Sequence, residues 1–144
     1  MIISAILLII IIICVTGISI NAKKMSVQKQ ANKEYEQYIE KDIYGTDVAT
    51  LINKAIDSNN KNKVQKTEDG KYIENEENSI IIELVMITDE EKEKTTTYRM
   101  ETIGKVGISE FISNFNTAKF KITNIQYHNQ TEKISNITIE QQYE

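Results

Sequence analysis

The chain has no proline and no tryptophan, one cysteine, one histidine, one arginine and five glycines in 144 residues. Each scarcity removes a class of function. Cys14 lies inside an unbroken apolar run, between Ile13 and Val15, so it reads as a small apolar filler, and no disulfide frames the remainder. His128 has no second imidazole and no soluble cysteine to join it, which removes the usual zinc sets. Five glycines in these positions make no P-loop, no G-x-G-x-x-G and no G-x-S-x-G. Arg99 stands alone against 16 lysines and the net charge is −4, so no basic face is available to neutralise phosphates. Nucleic acid is therefore not an expected partner. No catalytic, cofactor-binding or metal-ligating residue can be singled out, and we expect a protein that is not an enzyme.

What the sequence does have is a long apolar stretch. Ile2 to Ile20 contains no charged residue and is closed by Asn21, Lys23 and Lys24. At about 1.5 Å per residue, 19 helical positions span roughly 28 Å, close to the hydrocarbon thickness of a bilayer. In lipid only a helix or a closed barrel satisfies every backbone group, so this stretch should be helical despite its β-branched isoleucines. The rival reading is a cleaved signal peptide. Against it stand the missing basic n-region, an apolar run longer than a usual h-region, and a poor cleavage site at Ser19-Ile20-Asn21-Ala22, although Gly17-Ile18-Ser19 is tolerable. The expectation is a transmembrane anchor over residues 1–21 that contacts membrane lipid, and a soluble α+β domain over 22–144. Residues 22–43 of that domain extend the anchor helix. Lys23, Lys24, Lys29 and Lys33 follow the anchor and favour a cytoplasmic domain by the positive-inside rule, a weak vote because long domains translocate largely regardless of flanking charge.

Beyond the anchor, Val27, Ala31, Tyr35, Tyr38 and Ile39 recur at helical spacing, which predicts an amphipathic continuation to about Lys41 that packs on the domain. Tyr44-Gly45 breaks it. Thr46 then caps a second helix, with Asp47 at its positive end and Val48, Leu51, Ile52, Ala55 and Ile56 as its buried stripe, ending in the polar run to Asn62. Asp69-Gly70 predicts a type I′ hairpin between Val64–Glu68 and Lys71–Glu74. Ser79 to Thr88 is apolar on both faces, as a central strand is, and Thr95 to Ile103 reads as the returning strand with Tyr98 and Met100 inward. Gly104 and Gly107 bracket a turn into a short helix with Ile108, Phe111, Ile112 and Phe115 buried. Phe120 and Ile122 are out of phase with Ile125 and Tyr127, which predicts a β-bulge near Thr123-Asn124. A last strand starts at Ile134 with Ile137 and Ile139 inward. The sum is an α+β fold: an N-terminal transmembrane helix continuing into an amphipathic helix, then a small antiparallel sheet with two further helices.

Few side chains compete for a chemical role. His128, at a strand end, reads as a solvated surface histidine. Glu74, Glu76 and Glu77, and Asp89, Glu90, Glu91 and Glu93, lack calcium-loop spacing and read as solvated loops. Tyr35, Tyr38 and Tyr44 offer an aromatic strip to a partner, or, for the first two, packing onto the domain.

An apolar N-terminal helix that continues as an amphipathic rod and meets an antiparallel sheet resembles type IV pilins and pseudopilins in architecture. The chain departs from that family's pattern: no prepilin-peptidase glycine precedes the anchor, and Ala5 stands where a mature pilin carries glutamate. Tyr44-Gly45-Thr46-Asp47-Val48 followed by Leu51-Ile52-Asn53 resembles a segment shared by small single-pass membrane-anchored proteins of clostridia and their relatives, which implies a class and no particular activity. Both resemblances imply a domain on the extracytoplasmic side. The expected function is a membrane-anchored structural or interaction protein of the bacterial cell envelope, pilin-like in outline, with a protein partner or self-association. The alternative is a membrane-tethered module that binds a ligand or partner and regulates.

Overall fold

The computed structural model describes residues 2–88 and 94–143, of which 2–15, 17, 18, 105 and 106 are described by backbone alone. The first element is one unbroken helix, α1 (Ile2–Glu36), about 52 Å long at 1.5 Å per residue. Among the described residues no helix is long and apolar enough to cross a membrane, and most of the stretch read as an anchor (1–21) lies outside the described side chains. The helical extension is shorter than 22–43. It stops at Glu36, where Tyr38 N–H donates to the Tyr35 carbonyl at 3.0 Å and Glu40 turns to φ 62°. Nor does the extension pack along its length. Met25 and Val27 are exposed, and only Tyr35 is buried, with Tyr38 half-buried behind it.

The strand β1 (Ile43–Tyr44) leads into α2 (Gly45–Lys61). The cap is not Thr46, which lies inside the helix. The N-cap is Tyr44, and Asp47 in the first turn reaches back to it, its Oδ2 accepting the Tyr44 N–H at 2.9 Å, at the helix end where a negative charge is favoured. Val48, Leu51, Ile52 and Ala55 are fully buried, as their spacing requires. Asn59 stays in the last helical turn and is itself buried. The left-handed residue that ends the helix is Lys63, at φ 54°.

The expected hairpin is reduced to a single bridge, Lys66 with Tyr72. Its turn is not type I′, for only Gly70 has positive φ (84°). Gly70 N–H closes on the Thr67 carbonyl at 2.9 Å and Thr67 N–H on the Lys71 carbonyl at 2.8 Å. That is a type I turn followed by a left-handed glycine, the form a three-residue loop takes.

Strands β2 (Ile81–Ile87), β3 (Thr95–Arg99), β4 (Lys119–Tyr127) and β5 (Ile134–Gln141) complete a five-stranded sheet in the order β1-β4-β5-β2-β3. Three of its pairings are antiparallel, but β2 and β5 run parallel, so the sheet is mixed and not the antiparallel one expected. β2 and β5 are joined through β3, two helices and β4, and a connection that long leaves strand direction free. The returning strand is also shorter than Thr95–Ile103. It ends at Arg99, and Met100 opens a helix, α3 (Met100–Val106), that carries Gly104 within it. Gly107, at φ 110°, separates α3 from α4 (Ile108–Phe115). Among the described residues three helices therefore follow α1, where two were expected.

One face of the sheet builds the core. Ile82, Leu84 and Met86 of β2, Ile137 and Ile139 of β5, and Phe120 and Ile122 of β4 are buried together against α2 and α4. The register of β4 slips between Ile122 and Asn124, the expected bulge, and returns Ile125 to the core side. On the other face Lys121, Asn124 and Gln126 of β4 are exposed, Glu83, Thr138 and Glu140 are half-buried, and Ile81 at the start of β2 is fully buried.

Candidate functional site

The end of β2, the strand β3 and the two short helices enclose a cavity of about 250 Å³. Its position follows from how β3 gives way to α3. Glu101, in the first turn of α3, is buried and accepts the Tyr72 N–H at 2.8 Å, while Arg99 Nη2 reaches Glu101 Oε1 at 3.2 Å and the Tyr72 carbonyl at 2.9 Å. The one arginine of the chain is thereby used as an internal clamp, with Glu74 a further 3.6 Å partner. This clamp turns the chain back over the sheet. Gly107 then re-aims it so that α4 lies on the core face, where Phe111 packs on Phe115 (ring centroids 5.2 Å) and on Phe120 (6.2 Å).

Met86, Ile103, Phe111 and Phe115 line the cavity with apolar surface, and Tyr98, Thr102, Glu110 and Asn114 supply its polar groups. Glu110 and Asn114 are solvent-exposed on α4, and Glu110 forms no ion pair among the described residues. Apolar walls with a few convergent polar groups are the common form of a binding pocket. Such an arrangement can seat an apolar group and attract a cationic donor to Glu110.

Other residues singled out in the sequence fall elsewhere. His128 is not solvated. It is 6% exposed, its Nε2 lies 2.8 Å from the Ser79 carbonyl and so donates to it, and it lines a polar cavity of about 300 Å³ beside Glu74, Glu76 and Ser135. Glu76 accepts from Gln130 Nε2 at 3.2 Å, and the Glu77 carbonyl accepts from Thr131 at 2.8 Å, so this acidic run fastens its loop to the β4–β5 turn. Asp89, Glu90, Glu91 and Glu93 lie outside the described residues. Among the described residues no three His, Cys, Asp or Glu side chains gather to hold a metal ion.

The tyrosines do not form one exposed strip. Tyr35 is buried at the junction of α1 with the domain, Tyr38 packs behind it, and Tyr44 is exposed at the start of α2. Burial, then Glu34 and Asp57, pushes the Tyr35 hydroxyl well above its ordinary value. At the same junction Asn32 Nδ2 donates to the Glu132 carbonyl at 2.8 Å while its Oδ1 accepts the Ile134 N–H at 3.1 Å. Tyr127 O–H donates to Glu36 at 3.1 Å. A further cavity of about 430 Å³ lies under α1, between Val27, Ala31 and Tyr35 on one side and Ile80 and Ile134 on the other.

Sequence reasoning missed Thr102, Glu110 and Asn114, because each is an ordinary polar residue on an exposed helix face. The one available signal was Thr95-Thr96-Thr97, a strand with no charge and no apolar side chain before Tyr98. No family model, curated protein or solved structure matches the chain.

Proposed function

We propose that this chain is a membrane-anchored interaction protein of the bacterial cell envelope, with α1 as both anchor and stalk. The observation that carries the reading is α1 itself: one continuous helix whose residues 2–20 hold no charge, and whose following residues from Asn21 to Val27 are exposed. Only its last turns, from Asn32 to Glu36, are fastened to the domain. A helix clamped at one end and apolar at the other holds a folded domain at a fixed distance from lipid. Exposed Ile20 and Val27, seven residues apart on one face of α1, give such helices a strip for packing side by side, the feature a pilin-like assembly requires.

The test is fractionation followed by protease treatment of intact cells. The expected result is a chain that stays in the membrane pellet after alkaline extraction, with residues beyond 36 cleaved from outside. Recovery in the soluble fraction would overturn the anchor, and protection from external protease would overturn the envelope assignment.

The cavity between β3 and α4 favours a second reading, a tethered module that binds a ligand or partner and regulates. Both readings share the anchor and differ in what the domain does.

A further inference from the structure

We propose that the free edge of β3 and the cavity beside it form one recognition site for an extended, basic peptide segment that inserts a large apolar side chain. The proposal rests on the interaction-protein reading and names the class of partner.

Among the described residues β3 is the last strand of the sheet, paired with β2 on one side only. Its backbone phase is fixed by the Thr88 N–H, which donates to the Lys94 carbonyl at 2.9 Å. Antiparallel pairing alternates, so Thr96 and Tyr98 spend their backbone groups on β2 while Thr95 and Thr97 direct theirs outward. Neither of these two has a partner for them among the described residues. Natural sheets blunt such edges with proline, a bulge or a charged residue. Thr95–Thr97 has no proline and no charge between Lys94 and Arg99, and its register with β2 is unbroken. The opposite edge, β1, is two residues long.

The same strand borders the cavity. Thr96 and Tyr98 stand across from Met86 and Leu84, on the core side of the sheet, and Met86 and Tyr98 both line the cavity. A strand laid against β3 would present every second side chain on that side. Thr96 is small and exposed, which leaves the way to Met86 open. Size decides what enters. At about 250 Å³ the cavity falls below the ~300–1,000 Å³ of small-molecule pockets and suits an anchoring side chain. Charge decides what flanks it, for Glu110 at the cavity has no ion-pair partner among the described residues and attracts a lysine or arginine. Main-chain hydrogen bonds at Thr95 and Thr97 would supply affinity, and the cavity would supply specificity.

The test uses the full chain in detergent micelles and three synthetic heptapeptides: Lys-Thr-Val-Phe-Val-Thr-Lys, its Phe-to-Ser form and its Lys-to-Glu form. The expected result is at least tenfold tighter binding of the first peptide than of the other two. Amide exchange should slow at Thr95 and Thr97, and the Phe111 and Phe115 ring signals should shift. Thr97→Pro, which removes an outward N–H and leaves the β2 ladder intact, should abolish binding. Glu110→Lys, on an exposed helix face, should weaken it about tenfold without changing the amide spectrum of the core. No perturbation by any peptide at millimolar concentration would overturn the proposal. So would ring shifts without protection at Thr97, which mark a pocket for free small molecules. Protection that grows with protein concentration in the absence of peptide would also overturn it, because a second copy would then hold the edge. A chain that binds the peptide yet fractionates as soluble would sink the anchor alone.

Discussion

Asn59 and Ile80 exchange two hydrogen bonds. The amide Nδ2 donates to the Ile80 carbonyl at 2.7 Å, and the Ile80 N–H donates to Oδ1 at 2.8 Å. Asn59 is fully buried in the last turn of α2, and Ile80 is the residue before β2. The side chain thus acts as a short piece of backbone, pairing with a central strand where that strand begins. Asn32 repeats the device from α1 at the start of β5. The two parallel strands are each fastened by one helical asparagine.

Asn59→Leu should therefore cost more than two surface hydrogen bonds. It leaves the Ile80 N–H and carbonyl buried and unpaired, and each orphan costs about 1–3 kcal/mol. The expected loss is about 2–4 kcal/mol, read as a lower denaturant midpoint at unchanged slope. A loss below half a kcal/mol would show that water replaces the amide.

Gly45→Ala should be among the most damaging small changes in the chain. A Cβ at this position would overlap the carbonyl oxygen of Phe115, a backbone atom at the end of α4 that has no rotamer to move. The start of α2 and the end of α4 must separate to admit one methyl group. We expect a loss of more than about 2 kcal/mol in thermal or chemical unfolding. Gly104→Ala, whose nearest neighbour is the flexible end of Ile56 at 3.5 Å, should be close to neutral and serves as the control.

Leu51→Asp tests the stripe of α2. Leu51 is fully buried, and an unpaired carboxylate in its place costs several kcal/mol, on the order of the stability of the whole domain. Cooperative melting should vanish. Retention of the wild-type melting temperature would show that the stripe is not in the core.

Two groups give opposite pH dependences. A hydrogen bond from Lys71, then one from Thr67, holds the Asp69 carboxyl down at about 2. Its small contribution is complete above the ordinary carboxylate value near 4 and is lost as pH falls from there through 2. Asp69→Asn should flatten that part of the acid limb, and an NMR titration should place the carboxyl midpoint near 2. Tyr35 acts at the other end. Burial raises its hydroxyl above the ordinary value of 10, so the unfolded chain ionises first. Its contribution is intact below pH 10 and declines as pH climbs beyond it. Tyr35→Phe should make alkaline unfolding less steep, and an unchanged alkaline limb would place the hydroxyl in solvent.

The local elements are legible in the order of the amino acids. The stripe Val48-Leu51-Ile52-Ala55, the two-faced apolar strand at Ile81–Ile87, the phase slip near Asn124 and the alternation of Ile137 and Ile139 all follow from periods of 3.6 and 2, which covalent geometry imposes. An apolar face then needs only something to cover it, and the sequence alone determined that helices and a sheet would cover one another. The tertiary structure decided the rest. Whether β5 runs parallel or antiparallel to β2 depends on a connection through four intervening elements, and no local period encodes that choice. His128 became a buried donor because a carbonyl 49 residues earlier needed one, and Asn32 became a clamp because strand groups 100 residues later did. The end of β3 at Arg99 was fixed by Glu101 and Tyr72 meeting across 29 residues, and the cavity beside β3 exists only because that turn sends two helices back over the sheet. Hydrogen-bonding side chains carry no period, so their partners are set by which distant backbone groups burial leaves unpaired.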